Sequence, residues 1–237
     1  VTKQRPYSVL MILEQLRFQT RWNQTPRVPK TSVLGHSFFV AILTLLLEKE
    51  SGVDFCTKRR YNNFFSALFH DFPEAVTRDI ISPVKQATDG LPSIVKKIED
   101  EIVEKELAPL MDACYKDELL YFTSNEFANR IQVPSCDTLF TKDISGRLTE
   151  CAPGQQLEVS FEDLNTCYNI DDFSPVDGKL VKIADHIAAF LEADQSIQYG
   201  ITSVHLTTGR KKLLSLYPDG TKINGVDVTG FFKNFSE

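Results

Sequence analysis

The sequence predicts an all-α domain, a bundle of helices forming one unit over residues 1–237. Apolar residues recur at helical spacing in separate runs along the chain. Prolines and Gly-containing dipeptides punctuate those runs at positions that stop or start helices. No repeat of fixed period and no low-complexity tract points to a solenoid or a disordered array.

The first run is PYSVLMILEQLRFQ (6–19), with apolar residues at 9, 10, 12, 13 and 16. Residues Arg21–Lys30 hold two prolines and read as a loop. Residues 34–49 are largely apolar, so that helix is expected to be central. KRRYNNFFSALFH (58–70) predicts a second buried helix. Pro73 stops it and suits the first position of a short helix after it. Another helix is expected over 91–107, with Pro92 near its start, and more helix over 109–131. From 132 to 176, Gly, Pro and acidic residues interrupt any period, which predicts an irregular insertion. GKLVKIADHIAAFLEADQ (178–195) returns to a helix with Leu180, Ile183, Ile187, Phe190 and Leu191 on one face. Residues 201–216 read as a further helix, the start of a C-terminal elaboration over 201–237. In YPDGTKINGVDV, the Asp-Gly and Asn-Gly pairs predict tight turns and a small hairpin.

Composition narrows the function. Hydrophobic residues at 42% and charged residues at 24% match an ordinary soluble globular domain. A net charge of −6 argues against a duplex nucleic-acid binder, which needs a basic surface. It does not exclude a small phosphorylated ligand, because a metal supplies local positive charge. Five cysteines, at 56, 114, 136, 151 and 167, form no CxxC pair, as expected of reduced thiols in a cytoplasmic protein. The longest apolar run, FFVAILTLLL (38–47), is too short to span a bilayer. No signal peptide is visible, and a start at Val1 reads as a trimmed or processed chain.

The chemistry concentrates in a few polar residues among apolar ones. Only four histidines occur, at 36, 70, 186 and 205. His36 lies near the start of the apolar helix, and His70 ends the next one with Asp71 directly after it. Imidazole and carboxylate together suit divalent transition metals, and a shared ion would satisfy two polar groups that are costly to bury alone. Glu74 follows Pro73 in the first turn of a new helix, and Asp79 stands shortly after, before Ser82-Pro83-Val84-Lys85. Far downstream, Asp185 sits in the most regular late helix. His186 points about 100° away from Asp185 around that helix, and His205 reads as a surface residue.

The order H…HD…D, with ALFHDFPEAVTRDIISPVK (67–85), VKIADHIAAF (181–190) and the pair Arg21-Trp22, resembles the HD superfamily of metal phosphohydrolases. Within it, the motifs are similar to the bacterial 5′-deoxynucleotidase branch. The resemblance covers residues 5–130 and 177–200. Gly35 stands where the family usually has Glu, and the gap between Asp71 and Asp185 is longer than usual in this branch.

The resemblance implies an HD helical bundle. Its metal ligands would be His36, His70, Asp71 and Asp185, holding one divalent ion (Mn, Co, Fe, Ni or Zn) with positions open for water and a phosphate oxygen. Glu74 and Asp79 would be the catalytic carboxylates. Arg21, Trp22 and Lys85 would be substrate contacts, with Trp22 a flat wall that rejects a 2′-hydroxyl. Read by themselves, Trp22 serves equally as a packing anchor and Arg21 equally as a solvated charge. The expected activity is release of phosphate from nucleoside 5′-monophosphates, deoxyribonucleotides favoured. Two other readings stay open: hydrolysis of a triphosphate or signalling nucleotide, and a non-catalytic metal or nucleotide binder. Family members often pair, and apolar residues in 34–47 and 180–191 would allow a homodimer.

Overall fold

The computed structural model describes residues 5–77, 90–135, 139–142 and 148–234. Helix α1 (Arg5–Phe18) leads into a loop whose neck is closed by hydrogen bonds. The Arg21 amide donates to the Thr31 carbonyl and the Val33 amide to that of Gln19, both at 2.9 Å. Helix α2 (Val33–Glu50) starts where the Gly35 amide donates to Ser32 Oγ at 3.0 Å. Helix α3 (Thr57–Phe69) ends at His70, and a turn through Asp71 and Pro73 starts the short α4 (Glu74–Thr77). Helix α5 (Leu91–Ile102) runs on through a wide turn, Val103–Leu107, and a tight one, Ala108–Leu110. Pro109 has no amide to continue the ladder, so the helix stops there.

Two expectations for the middle of the chain are corrected. The helix expected over 109–131 is confined to α6 (Lys116–Thr123), which ends where Ser124 turns extended, ahead of Asn125 at a left-handed φ of 46°. The insertion 132–176 is not simply irregular. Strand β1 (Asn129–Gln132) pairs antiparallel with β4 (Gln156–Glu158) and with β5 (Val176–Asp177), in the order β4-β1-β5. Strands β2 (Leu139–Lys142) and β3 (Leu148–Cys151) form a separate antiparallel pair. Helix α7 (Phe161–Thr166) is capped by Ser160. These strands have two to four residues each, too short for an alternating pattern to register in sequence.

Strand β5 feeds directly into the longest helix, α8 (Gly178–Gln198). Gly178 is required there, since a Cβ would overlap the Ala128 backbone. Asp177, at the junction, accepts a bidentate pair from Arg59 of α3 at 2.6 and 2.8 Å, and neither side chain is exposed. Asn63 donates to both Asp177 and Glu48, and Asn224 donates to Asp177. This buried polar network ties α2, α3, the start of α8 and the C-terminal hairpin together.

Helix α9 (Val204–Ser215) packs on α8. The expected hairpin follows as β6 (Lys222–Ile223) and β7 (Val226–Asp227), joined by Asn224 and Gly225 at φ 47° and 82°. Positive φ at both turn positions is the geometry that Asn-Gly accommodates best. Helix α10 (Val228–Lys233) closes the described chain.

The main core joins Val40 and Ala41 of α2, Ala67 of α3 and Leu180, Ile183, Ile187 and Phe190 of α8 to Tyr217, Val226 and Phe232 of the tail. The apolar face of α8 is therefore filled within the chain and is not free for a partner, whereas Phe38 and Leu46 of α2 stay exposed. Among the described residues, no helix is long and apolar enough to cross a membrane.

Candidate metal centre

Three segments converge at the site: the start of α2, the end of α3 and the middle of α8. His36 is one turn into α2, on the face turned to α8, and is fully buried. His70 and Asp71 are delivered together by the end of α3. Asp185 faces them from α8. His36 Nε2 lies 3.0 Å from Asp185 Oδ1 and 3.8 Å from Asp71 Oδ2. His70 Nε2 lies 3.2 Å from Asp71 Oδ2 and 3.9 Å from Asp185 Oδ1. The ligand atoms of His36, His70 and Asp71 are all within 4.8 Å of one another.

The outer nitrogens of both rings are anchored. His70 Nδ1 donates to the Ala67 carbonyl at 2.7 Å, and His36 Nδ1 donates to Glu192 Oε1 at 3.2 Å. Each ring thus turns Nε2 inward, the arrangement that presents a lone pair to a cation. Among the described residues, buried His70 Nε2 makes no well-aligned hydrogen bond, only the ion-pair approach to Asp71, and an ion at the centre would satisfy it.

Electrostatics favour positive charge at this point. Burial pushes the Asp71 and Asp185 carboxyls up, but the two imidazoles and Arg21 outweigh it and hold both well below the usual carboxylate range. Burial likewise opposes ionisation of Glu192, yet His36, Arg21 and Arg27 bring it down to about 2. Burial and Arg21 depress His36, and Glu192 and Asp185 still carry it up to about 9. Burial depresses His70 too, and Asp71 overcomes it. A pocket that holds three carboxylates ionised around two imidazoles suits a divalent ion, which would bind the rings in their deprotonated form.

The HD-domain family model matches residues 13–214. The chain belongs to the HD-domain family. It is 38% identical over 80 residues to a 4′-phosphooxetanocin A phosphatase of Priestia megaterium. That match spans 33% of this chain and 41% of the relative. The fold is similar to an HD-domain phosphohydrolase from Listeria innocua, with a TM-score of 0.62 at 18% identity. That likeness covers 96% of this chain and 85% of the other. It is also similar to the PH0347 protein of Pyrococcus horikoshii OT3, with a TM-score of 0.53 at 15% identity, over 96% and 94% of the two chains.

Around this HD core, the remaining expected residues take different places. Arg21 borders the cluster, with Nη1 3.4 Å from Asp71 Oδ2 and Nη2 3.9 Å from Asp185 Oδ1. Glu74 is buried at the first position of α4, its amide donating to the Asp71 carbonyl at 3.0 Å. Asp79 and Lys85 lie outside the described residues. Trp22 packs with Ala193 and Leu206, its ring edge against Gly209. Its ring is buried, at 6% exposure, against these neighbours. His186 donates or accepts at Tyr217 Oη, 2.6 Å away, and His205 is exposed, so neither joins the centre.

Glu192 is the residue that motif reading passed over. Its one signal in the sequence is spacing: seven residues after Asp185, it returns to the same face of α8 two turns later.

Proposed function

We propose that this HD protein is a metal-dependent phosphohydrolase that releases phosphate from small phosphomonoesters, with nucleoside 5′-monophosphates as the substrate class. The observation that carries the reading is the convergence of two anchored imidazole Nε2 atoms on the carboxylates of Asp71 and Asp185, with a guanidinium at their edge. The similarity to a phosphatase supports hydrolysis of a phosphate ester, and the nucleotide class rests on the Arg21-Trp22 and 67–85 motifs.

His36, His70, Asp71 and Asp185 would hold the ion. When bound, a divalent ion supplies Lewis acidity to the phosphoryl group and to a water molecule. Arg21 presents two N–H groups in a planar fork that fits two phosphoryl oxygens. Asp71 and Asp185, which face Arg21, would serve as ligands to the ion, and Arg21 would turn its fork toward the phosphate. Glu74, one turn from Asp71, moves a proton at the attacking water or at the leaving alkoxide, and Asp79 takes the other of these two tasks. Deoxyribose preference belongs to the same reading through the 5′-deoxynucleotidase resemblance.

The test is a metal-supplemented assay of matched ribo- and deoxyribonucleoside 5′-monophosphates against nucleoside triphosphates and cyclic nucleotides. The reading expects phosphate release from monophosphates. Release from triphosphates alone, or no turnover with metal bound, would reject it.

A further inference from the structure

Glu192 is 7% exposed on α8 and uses each of its oxygens for a different donor. Oε1 accepts from His36 Nδ1 at 3.2 Å, and Oε2 accepts from Trp22 Nε1 at 2.9 Å. Arg21 Nε lies 3.9 Å from Oε2. The Glu192 carbonyl also accepts from Arg27 Nε at 3.2 Å, and one turn on, Ser196 Oγ accepts from the Val28 amide at 3.2 Å. One turn of α8 therefore grips the Arg21–Thr31 loop at three points and the His36 ring at a fourth.

We propose that Glu192 is a positioning residue that sets the tautomer of His36 for metal binding and couples it to docking of the Arg21–Thr31 loop through the Trp22 indole. The inference rests on the reading of this cluster as a metal centre. Its chemistry follows from counting donors and acceptors. An ionised carboxylate offers two acceptor oxygens and no donor. His36 must carry its proton on Nδ1 to leave the Nε2 lone pair for an ion, and the indole nitrogen is always a donor. Two N–H groups converge on one side chain, and only a carboxylate satisfies both. A carboxamide of the same shape has one acceptor oxygen and an NH2 donor. Facing it, His36 either moves its proton to Nε2, which removes the metal's lone pair, or the Trp22 bond breaks and the loop loses its anchor.

This predicts a rescue that general loosening of the fold would not produce. Glu192→Gln should weaken zinc or manganese binding by about 10- to 100-fold, the usual effect of losing a partner behind a ligating histidine. Trp22→Phe removes one of the two competing donors, so in the double variant the amide oxygen is free to turn to His36. Trp22→Phe/Glu192→Gln should therefore bind metal more tightly than Glu192→Gln alone. A purely structural role would make the double variant the weakest of the set.

The experiment is a calorimetric titration of the full chain with zinc and with manganese for wild type, both single variants and the double variant. It is accompanied by ¹⁵N-histidine NMR of the zinc-loaded wild type and Glu192→Gln. Wild type should show His36 protonated at Nδ1 and metal at Nε2, and Glu192→Gln should show loss of that state. Should the double variant fail to fold, the NMR comparison decides. Wild-type metal affinity in Glu192→Gln with an unchanged His36 tautomer would overturn the proposal while leaving the metal centre intact. A double variant no tighter than Glu192→Gln would overturn the Trp22 coupling. A wild type that takes up neither ion would overturn the metal reading itself, and this inference with it.

Discussion

Glu48→Gln should make the protein more stable at pH 8 and nearly unchanged at pH 4. Glu48 of α2 is 3% exposed. Burial is the main reason its carboxyl is pushed up from 4.5 to about 7; the Asn63 hydrogen bond opposes the rise and the Asp177 charge adds to it. One carboxyl oxygen accepts from Asn63 Nδ2 at 2.9 Å, and among the described residues the other is buried without a hydrogen bond. The folded state holds the proton more tightly than the unfolded chain. Stability is therefore greatest below about pH 4.5, falls as pH rises to about 7, and stays low above it. At about 1.4 kcal/mol for each factor of ten in proton affinity, the loss is about 3 kcal/mol. Glutamine keeps the acceptor for Asn63 and removes the charge. Urea unfolding of wild type and variant from pH 4 to pH 8 measures the difference. The variant should gain on the order of 2–3 kcal/mol at pH 8 and show little change at pH 4. Equal stabilities at pH 8, or a wild type that grows more stable than the variant with rising pH, would refute the reasoning.

Other perturbations address the scaffold and the site. Asp177→Ala leaves the Arg59 guanidinium buried without its partner, and should cost about 3–5 kcal/mol in chemical denaturation. Glu74→Gln should retain metal, measured by elemental analysis, and lose about 10²-fold or more in turnover; wild-type kcat with metal bound would remove Glu74 from the chemistry. Arg21→Ala should weaken kcat/KM for ribo- and deoxyribonucleotides by the same factor, because the phosphate is common to both; a sugar-dependent loss would place Arg21 elsewhere on the substrate.

How much of this was legible in the sequence depended on whether the signal was local. His70-Asp71 are adjacent, and the apolar run before them predicts a buried helix end, so their pairing stands out. His36 and Asp185 were readable only because the motif order linked distant segments. Glu192 carried no motif, since its meaning lies in two partners 156 and 170 residues away. Trp22 shows the converse. The resemblance directed attention to its ring face, and the bond its indole N–H donates to Glu192, 170 residues away, had no signal of its own. The long helices α2 and α8 followed their periodicity closely. The sheet β4-β1-β5 was invisible because its strands are short and their pairing joins residues 24 to 48 positions apart. The Asn-Gly turn of the C-terminal hairpin was legible because a two-residue backbone requirement is written in two residues.

The central claim is that His36, His70, Asp71 and Asp185 form one metal centre. The most direct test is elemental analysis combined with calorimetric metal titration of wild type and Asp71→Ala. The account predicts about one divalent transition ion per chain in wild type and loss of binding in the variant. Full occupancy in Asp71→Ala, or a wild type that takes up no divalent ion, would contradict it.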